Sequence, residues 1–159
     1  MYSKVNRKLF MLRKLKGAGL DKEDLLTVYK GYVRPCLEYA APLWNAGLNQ
    51  QQVNRLEKFQ KRVCRCILSS DYTTYSDALE VLNLQSLVDR RIHICKEFAI
   101  KASSSERFSR WFPCSEFRSS MQLRKRAQFK PYRCKTDRFK NSPLPYLTSL
   151  LNELPSYTS

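Results

Sequence analysis

The sequence predicts an all-α fold: a bundle of about five to six helices, then a basic, largely irregular C-terminal arm and a short final helix. Three observations carry that expectation. Large apolar residues recur at spacings of three and four through most of residues 4–103, the period of a helix with one buried face. Asp21, Asn49, Thr74 and Ser86 stand just ahead of such runs, where short polar side chains satisfy the free N–H groups of a first turn. No stretch of useful length alternates apolar with polar residues except 129–134.

Residues 4–16 place Val5, Leu9 and Leu12 on one side of a helix and Lys4, Arg7 and Lys14 on the other. Gly17 and Gly19 end it. Asp21 caps the next helix, with Asp24 favoured by the positive end of the helix dipole. Across residues 25–44, Leu25, Tyr29, Tyr32, Cys36, Ala40 and Leu43 keep one face in phase through Pro35. A proline inside a helix removes a hydrogen bond and presses on the carbonyl four residues back, here that of Gly31, which can absorb the bend. The segment is expected to be one long, kinked, largely buried helix or a close-coupled pair. Tyr29, Tyr32 and Tyr39 are expected in its core, with their hydroxyls reaching an edge.

Pro42 and Gly47 break that element, and Asn49 caps a third helix that turns Val53, Leu56, Phe59, Val63 and Ile67 inward. Thr74 with Asp77, and Ser86 with Asp89, have the outline of capping boxes, Asp standing in for Glu. The helix after Ser86 is expected to bury Val88, Ile92, Cys95, Phe98, Ala99 and Ala102. Three serines at 103–105 close the packed part, and an aromatic piece follows at 108–112. Pro143 suits the first turn of a final helix that docks by Leu147, Leu150 and Leu151. Trp44 and Trp111 are expected as core anchors, since tryptophan's area dominates packing. The divisions are a helical domain at 1–103, a basic arm or linker at 104–141, and a C-terminal helix and tail at 142–159.

Charge narrows the function. Lys and Arg number 29 against 14 Asp and Glu, a formal net charge of +15, which suits a polyanionic partner. On the third helix Arg55, Lys58, Arg62 and Arg65 follow at three, four and three residues, forming one ridge well round from the apolar face. Only Glu57 offers a nearby acid. Such a ridge is most often plain solvated surface; the alternative is a row of phosphate contacts. In residues 115–141 the bases include Arg124, Lys125, Arg126, Lys130 and Arg133, with Phe117, Phe129, Tyr132 and Phe139 interleaved. That composition fits a disordered linker, and equally a strap whose aromatics stack on bases; an arm can be both, ordering when bound.

Other classes find little support. The six cysteines lack zinc spacing: Cys64 and Cys66 are too close, and the only histidine, His93, sits mid-helix on expected surface. Cys36, Cys66 and Cys95 fall at apolar helical positions, where a thiol behaves as a small hydrophobe. The start of the chain carries lysines and arginines inside its apolar pattern, unlike a signal peptide. No apolar run approaches the ~20 residues that span a bilayer. The expectation is an intracellular protein, nuclear or cytoplasmic, with no membrane, no resident metal or cofactor and no small-molecule substrate. Neither a phosphate-cradling glycine loop, a serine-nucleophile elbow nor a carboxylate pair is present to make it an enzyme on its own.

One segment carries a family resemblance. Tyr29-Lys30-x-Tyr32-Val33-Arg34-Pro35-x-Leu37-Glu38-Tyr39-Ala40-Ala41-Pro42-x-Trp44 resembles the segment just after the catalytic palm in reverse transcriptases of non-LTR retrotransposons, the jockey-like group especially. Residues 4–20, 54–68, 72–87 with Ala78-Leu79-x-x-Leu82-x-Leu84, Arg90-Arg91-Ile92, and 138–150 with Ser142-Pro143-x-Pro145-Tyr146-Leu147 are similar to what flanks it, in the same order. The ordered set is specific where no single motif is. The resemblance implies a thumb and connection region that grips an RNA–DNA hybrid or duplex behind a palm and fingers supplied elsewhere. It also implies magnesium for the whole enzyme only. The palm's Tyr-x-Asp-Asp is absent, and no adjacent Asp-Asp occurs anywhere, whereas two divalent ions about 4 Å apart need paired carboxylates. A decayed or co-opted fragment serving as a helical protein-interaction module is the alternative.

Overall fold

The computed structural model describes residues 2–115 and 127–154, residues 2–4 by their backbone alone. In chain order the helices are α1 (Tyr2–Gly17), α2 (Lys22–Val28), a π-helical turn (Tyr29–Val33), α3 (Arg34–Glu38), α4 (Ala41–Trp44), α5 (Gln50–Leu68), α6 (Tyr75–Val81), α7 (Leu87–Ser104), α8 (Asp137–Lys140) and α9 (Pro143–Glu153). The fold is all-α. Among the described residues there is no strand; the alternating stretch near Phe129 contributes a single antiparallel bridge to Cys114. No described helix is long and apolar enough to cross a membrane.

The chain forms two compact units. The first joins Met1–Tyr39 to Asn49–Arg90. Its core takes Val5, Leu9 and Leu12 from α1, Leu25 from α2, and Leu56, Phe59, Val63 and Ile67 from α5, all buried. Each such side chain contributes roughly 1.5–3 kcal/mol through removal from water. Gly19 takes a positive φ of 94° after α1, and Asp21 then caps α2, its Oδ1 accepting from the Asp24 N–H at 2.8 Å.

The proline-containing segment departs from expectation in its phase. The buried positions are Leu25, Tyr29, Val33 and Leu37, while Tyr32 is 51 % and Tyr39 81 % exposed, so those two tyrosines are not core residues. A strict spacing of four drifts about 40° per step on an α-helix at ~100° per residue. The π turn holds more residues per turn and cancels that drift; its closing bond runs from the Arg34 N–H to the Tyr29 carbonyl, five residues back. It ends at Val33, and Arg34 and Pro35 open α3, so the ring of Pro35 follows a widened turn. Gly31 lies inside that turn, and a side chain there would meet nothing within 4 Å. After α3, Ala40 adopts φ 54° and the helical path breaks.

Tyr29 is fully buried, and its Oη has no hydrogen-bond partner among the described residues. Burial, and then the nearby Cys64, push its phenol well above the usual range. An unsatisfied buried hydroxyl costs about 1–3 kcal/mol, so Tyr29→Phe is expected to raise the unfolding free energy by roughly 1 kcal/mol. Urea denaturation checks this; a loss of stability would mean the hydroxyl is satisfied.

The second unit joins Ala40–Leu48 to Arg91–Ser159. Cys95, Ala99 and Ala102 of α7 pack with Phe112 and with Leu147, Leu150 and Leu151 of α9, so the final helix docks by the three leucines its spacing predicts. Phe98 and Trp111, expected inside, are 37 % and 39 % exposed, and Trp44 is half-buried. The inward position on α7 that the apolar pattern passes over is Arg91, 1 % exposed. Its Nε donates to Asn45 Oδ1 at 3.1 Å, and Asn45 Nδ2 donates to the Tyr146 hydroxyl oxygen at 3.1 Å.

Within the basic arm, the described residues from 127 are irregular up to α8 but docked. Phe129 packs on the α7–α9 cluster, and its N–H and carbonyl bond the Asn152 side chain at 2.9 and 3.1 Å. The Lys130 N–H donates to the Pro113 carbonyl at 2.8 Å, and the Tyr132 hydroxyl donates to the Trp111 carbonyl at 2.6 Å. The Tyr132 ring lies edge-on to Phe139 with centroids 6.2 Å apart. Phe129 is thus packed on the protein's own core, whereas Phe139 is 40 % exposed and Phe117 lies outside the described residues.

Candidate nucleic-acid interface

Two sequence features orient α5. Asn49 and Gln52 make a reciprocal capping box, each side-chain oxygen accepting from the other's backbone N–H at 2.9 Å. The face Leu56, Phe59, Val63 and Ile67 is buried, as its spacing predicts, whereas Val53 is only half-buried. Gln60 joins the buried face, its Nε2 donating to the Gln85 carbonyl at 2.9 Å. With that side fixed, Arg55, Lys58, Arg62 and Arg65 are all exposed. The first and last lie ten residues apart, ~15 Å of helix at ~1.5 Å per residue.

The one acid among them is directed elsewhere. Glu57 Oε2 accepts from the Tyr75 hydroxyl at 2.6 Å, and Oε1 accepts from the Val88 N–H at 2.8 Å. A carboxylate on the first-turn amides of α7 meets the positive end of that helix. Burial, then the bond to Glu57, push the Tyr75 phenol far above its ordinary value. Among the described residues no ion pair neutralises any of the four ridge cations. Arg65 lies over the Tyr72 ring, 5.0 Å from its centroid, a cation–π contact.

α1 adds two cations that spacing did not single out. Arg13 and Lys16 line a shallow cavity of about 390 Å³ together with Arg62, Arg65, Cys66 and Ser69. Lys16 Nζ donates to the Cys66 carbonyl and the Ser69 hydroxyl and lies 3.5 Å from the Ile67 carbonyl. It therefore sits on the last carbonyls of α5 and offsets the negative end of that helix. Asp71 pairs with Lys22, whose hydrogen bond holds its carboxyl below the usual range. A signal for Lys16 was present in the sequence: it lies four residues after Leu12, on the flank of the buried face.

The remaining predicted residues are scattered. Arg7 and Lys14 are exposed on α1, the Lys14 ammonium 5.5 Å from the Phe10 ring centroid. Lys130 and Arg133 are exposed in the second unit. The Lys4 side chain and Arg124, Lys125 and Arg126 lie outside the described residues. His93 is on the surface of α7, its Nε2 3.3 Å from Glu97. Cys64 and Cys95 are fully buried, and burial lifts both thiols to about 11. Among the described residues, no three His, Cys, Asp or Glu side chains converge as metal ligands would. No protein-family model, curated protein or solved structure matches the chain.

Proposed function

We propose that this chain is the thumb and connection part of a non-LTR retrotransposon reverse transcriptase, holding an RNA–DNA hybrid by its phosphates for a palm supplied by other residues. The observation that carries this is the α5 ridge, four exposed cations in one row with their only neighbouring acid committed to Tyr75 and the start of α7. Contacts of that kind read charge and spacing rather than base identity. The test is a fluorescence-anisotropy titration of the purified chain with hybrids of two unrelated sequences at several salt concentrations. Equal affinities for the two, falling steeply with salt, are expected; an affinity that is insensitive to salt sinks the proposal.

The same proposal makes the chain catalytically silent, because its sequence has no adjacent Asp-Asp and, among the described residues, no acidic side chains cluster as two metal ions would need. Purified protein is expected to extend no primer on any template with magnesium or manganese. Incorporation abolished by changing one of the chain's own aspartates would overturn it. A second reading, a helical protein-interaction module, is favoured by the exposure of Phe10 (60 %), Leu43 (65 %) and Val81 (70 %). That module binds the hybrid no better than any basic protein of equal charge, so the anisotropy titration separates the two.

A further inference from the structure

The cavity between the end of α1 and the end of α5 is not simply a continuation of the ridge. Anions are ordinarily disfavoured at a helix C-terminus, where the backbone carbonyls present partial negative charge. Here that charge is offset from within: the Lys16 ammonium donates to the Cys66 carbonyl and the Ser69 hydroxyl, and Lys16 itself lines the cavity. Three arginines, Arg13, Arg62 and Arg65, drawn from two helices and free of ion pairs among the described residues, line the same cavity. Planar forks of N–H donors match the oxygens of phosphate, and several converging on one volume define a seat rather than a diffuse field.

We infer that Arg13, Arg62 and Arg65, with Lys16 as the floor, form a receptor for a single phosphate group, and that in the bound complex this is one phosphodiester of the gripped strand. The assignment to a strand rests on the function proposed above; the seat itself does not. It fixes the register of the strand against α5, with Lys58 and Arg55 about one and two turns further along the helix to meet successive backbone positions. The seat and the open ridge then differ in kind: one phosphate is shared by three arginines at one end, and single contacts follow at the other.

Cys66 lines the same cavity and supplies the readout. The full chain is alkylated with iodoacetamide, and the rate at Cys66 is followed by peptide mass spectrometry against exposed Cys114 as internal standard. Inorganic phosphate, compared with chloride at matched ionic strength, is expected to slow Cys66 several-fold and saturably. The effect should vanish in Arg13→Gln/Arg62→Gln and persist in Arg107→Gln, an exposed arginine outside the cavity. A bound RNA–DNA hybrid is expected to protect Cys66 likewise. If phosphate leaves the Cys66 to Cys114 ratio unchanged, the seat is overturned whatever the hybrid does. If phosphate protects but a hybrid shown by anisotropy to be bound does not, the backbone assignment is overturned and the seat belongs to a small phosphate. If phosphate protects and no hybrid binds at all, the thumb proposal fails while the phosphate seat is supported.

Discussion

Replacing Arg55, Lys58, Arg62 and Arg65 together by glutamate weakens binding to an RNA–DNA hybrid by at least about a hundredfold near 0.1 M salt, and flattens log K against log salt by roughly one unit for each phosphate no longer neutralised. The reason is counterion release: each phosphate neutralised by a cation frees condensed ions, and reversing the cation forfeits that gain and adds repulsion. All four side chains are exposed, so the fold should survive. Surface changes away from packed features usually stay within about 0.5 kcal/mol each, and circular dichroism confirms the helix content. The weakening should be alike for unrelated sequences, because phosphates carry no base identity. An unchanged affinity and salt slope would make the ridge plain solvated surface, leaving residues 124–133 to carry any binding.

Arg91→Ala costs about 3 kcal/mol of unfolding free energy, combining the removal of a charged hydrogen bond with the cavity left by a buried side chain. Arg91 is 1 % exposed and donates to Asn45, which in turn donates to Tyr146 of α9. The substitution therefore frees the carboxamide of Asn45 and slackens the tie between the Asn45–Gly47 turn and the final helix. Urea denaturation measures the change. A value under about 0.5 kcal/mol, the range of ordinary surface changes, would show that the guanidinium is not held as described.

Much of the helical frame was legible in the chain because local chemistry specifies it. Asp21, Asn49, Thr74 and Ser86 each accept from the backbone N–H three residues on, at 2.8, 2.9, 3.3 and 3.1 Å, where a capping residue's side chain has few competing partners. The leucines of α9 and the inward face of α5 followed from period alone. Tyr32 and Tyr39 did not, because one π turn shifts the phase of every position after it, and a spacing rule tuned to 3.6 residues per turn cannot register that. Arg91 was hidden for the opposite reason. Its charge argued for the surface, and its burial depends on distant chain: its Nε donates to Asn45, 46 residues away, which in turn donates to Tyr146.

The candidate site divides the same way. Arg55, Lys58, Arg62 and Arg65 share a helix, so their common face could be counted out residue by residue. That Glu57 faces Tyr75 and Val88 instead of neutralising them depends on two other segments of chain. Lys16 could be placed on the flank of the buried face of α1 by spacing, but that it and Arg13 meet Arg62 and Arg65 depends on α1 packing against α5, which no spacing within either helix announces.

Arginine modification by phenylglyoxal, read by peptide mass with and without a saturating RNA–DNA hybrid, locates the grip directly. Arg55, Arg62 and Arg65 should be modified markedly more slowly when the hybrid is bound, while exposed Arg107 and Arg110 keep their rates. Unchanged rates at Arg55, Arg62 and Arg65 in the bound complex would contradict an α5 grip on the phosphate backbone.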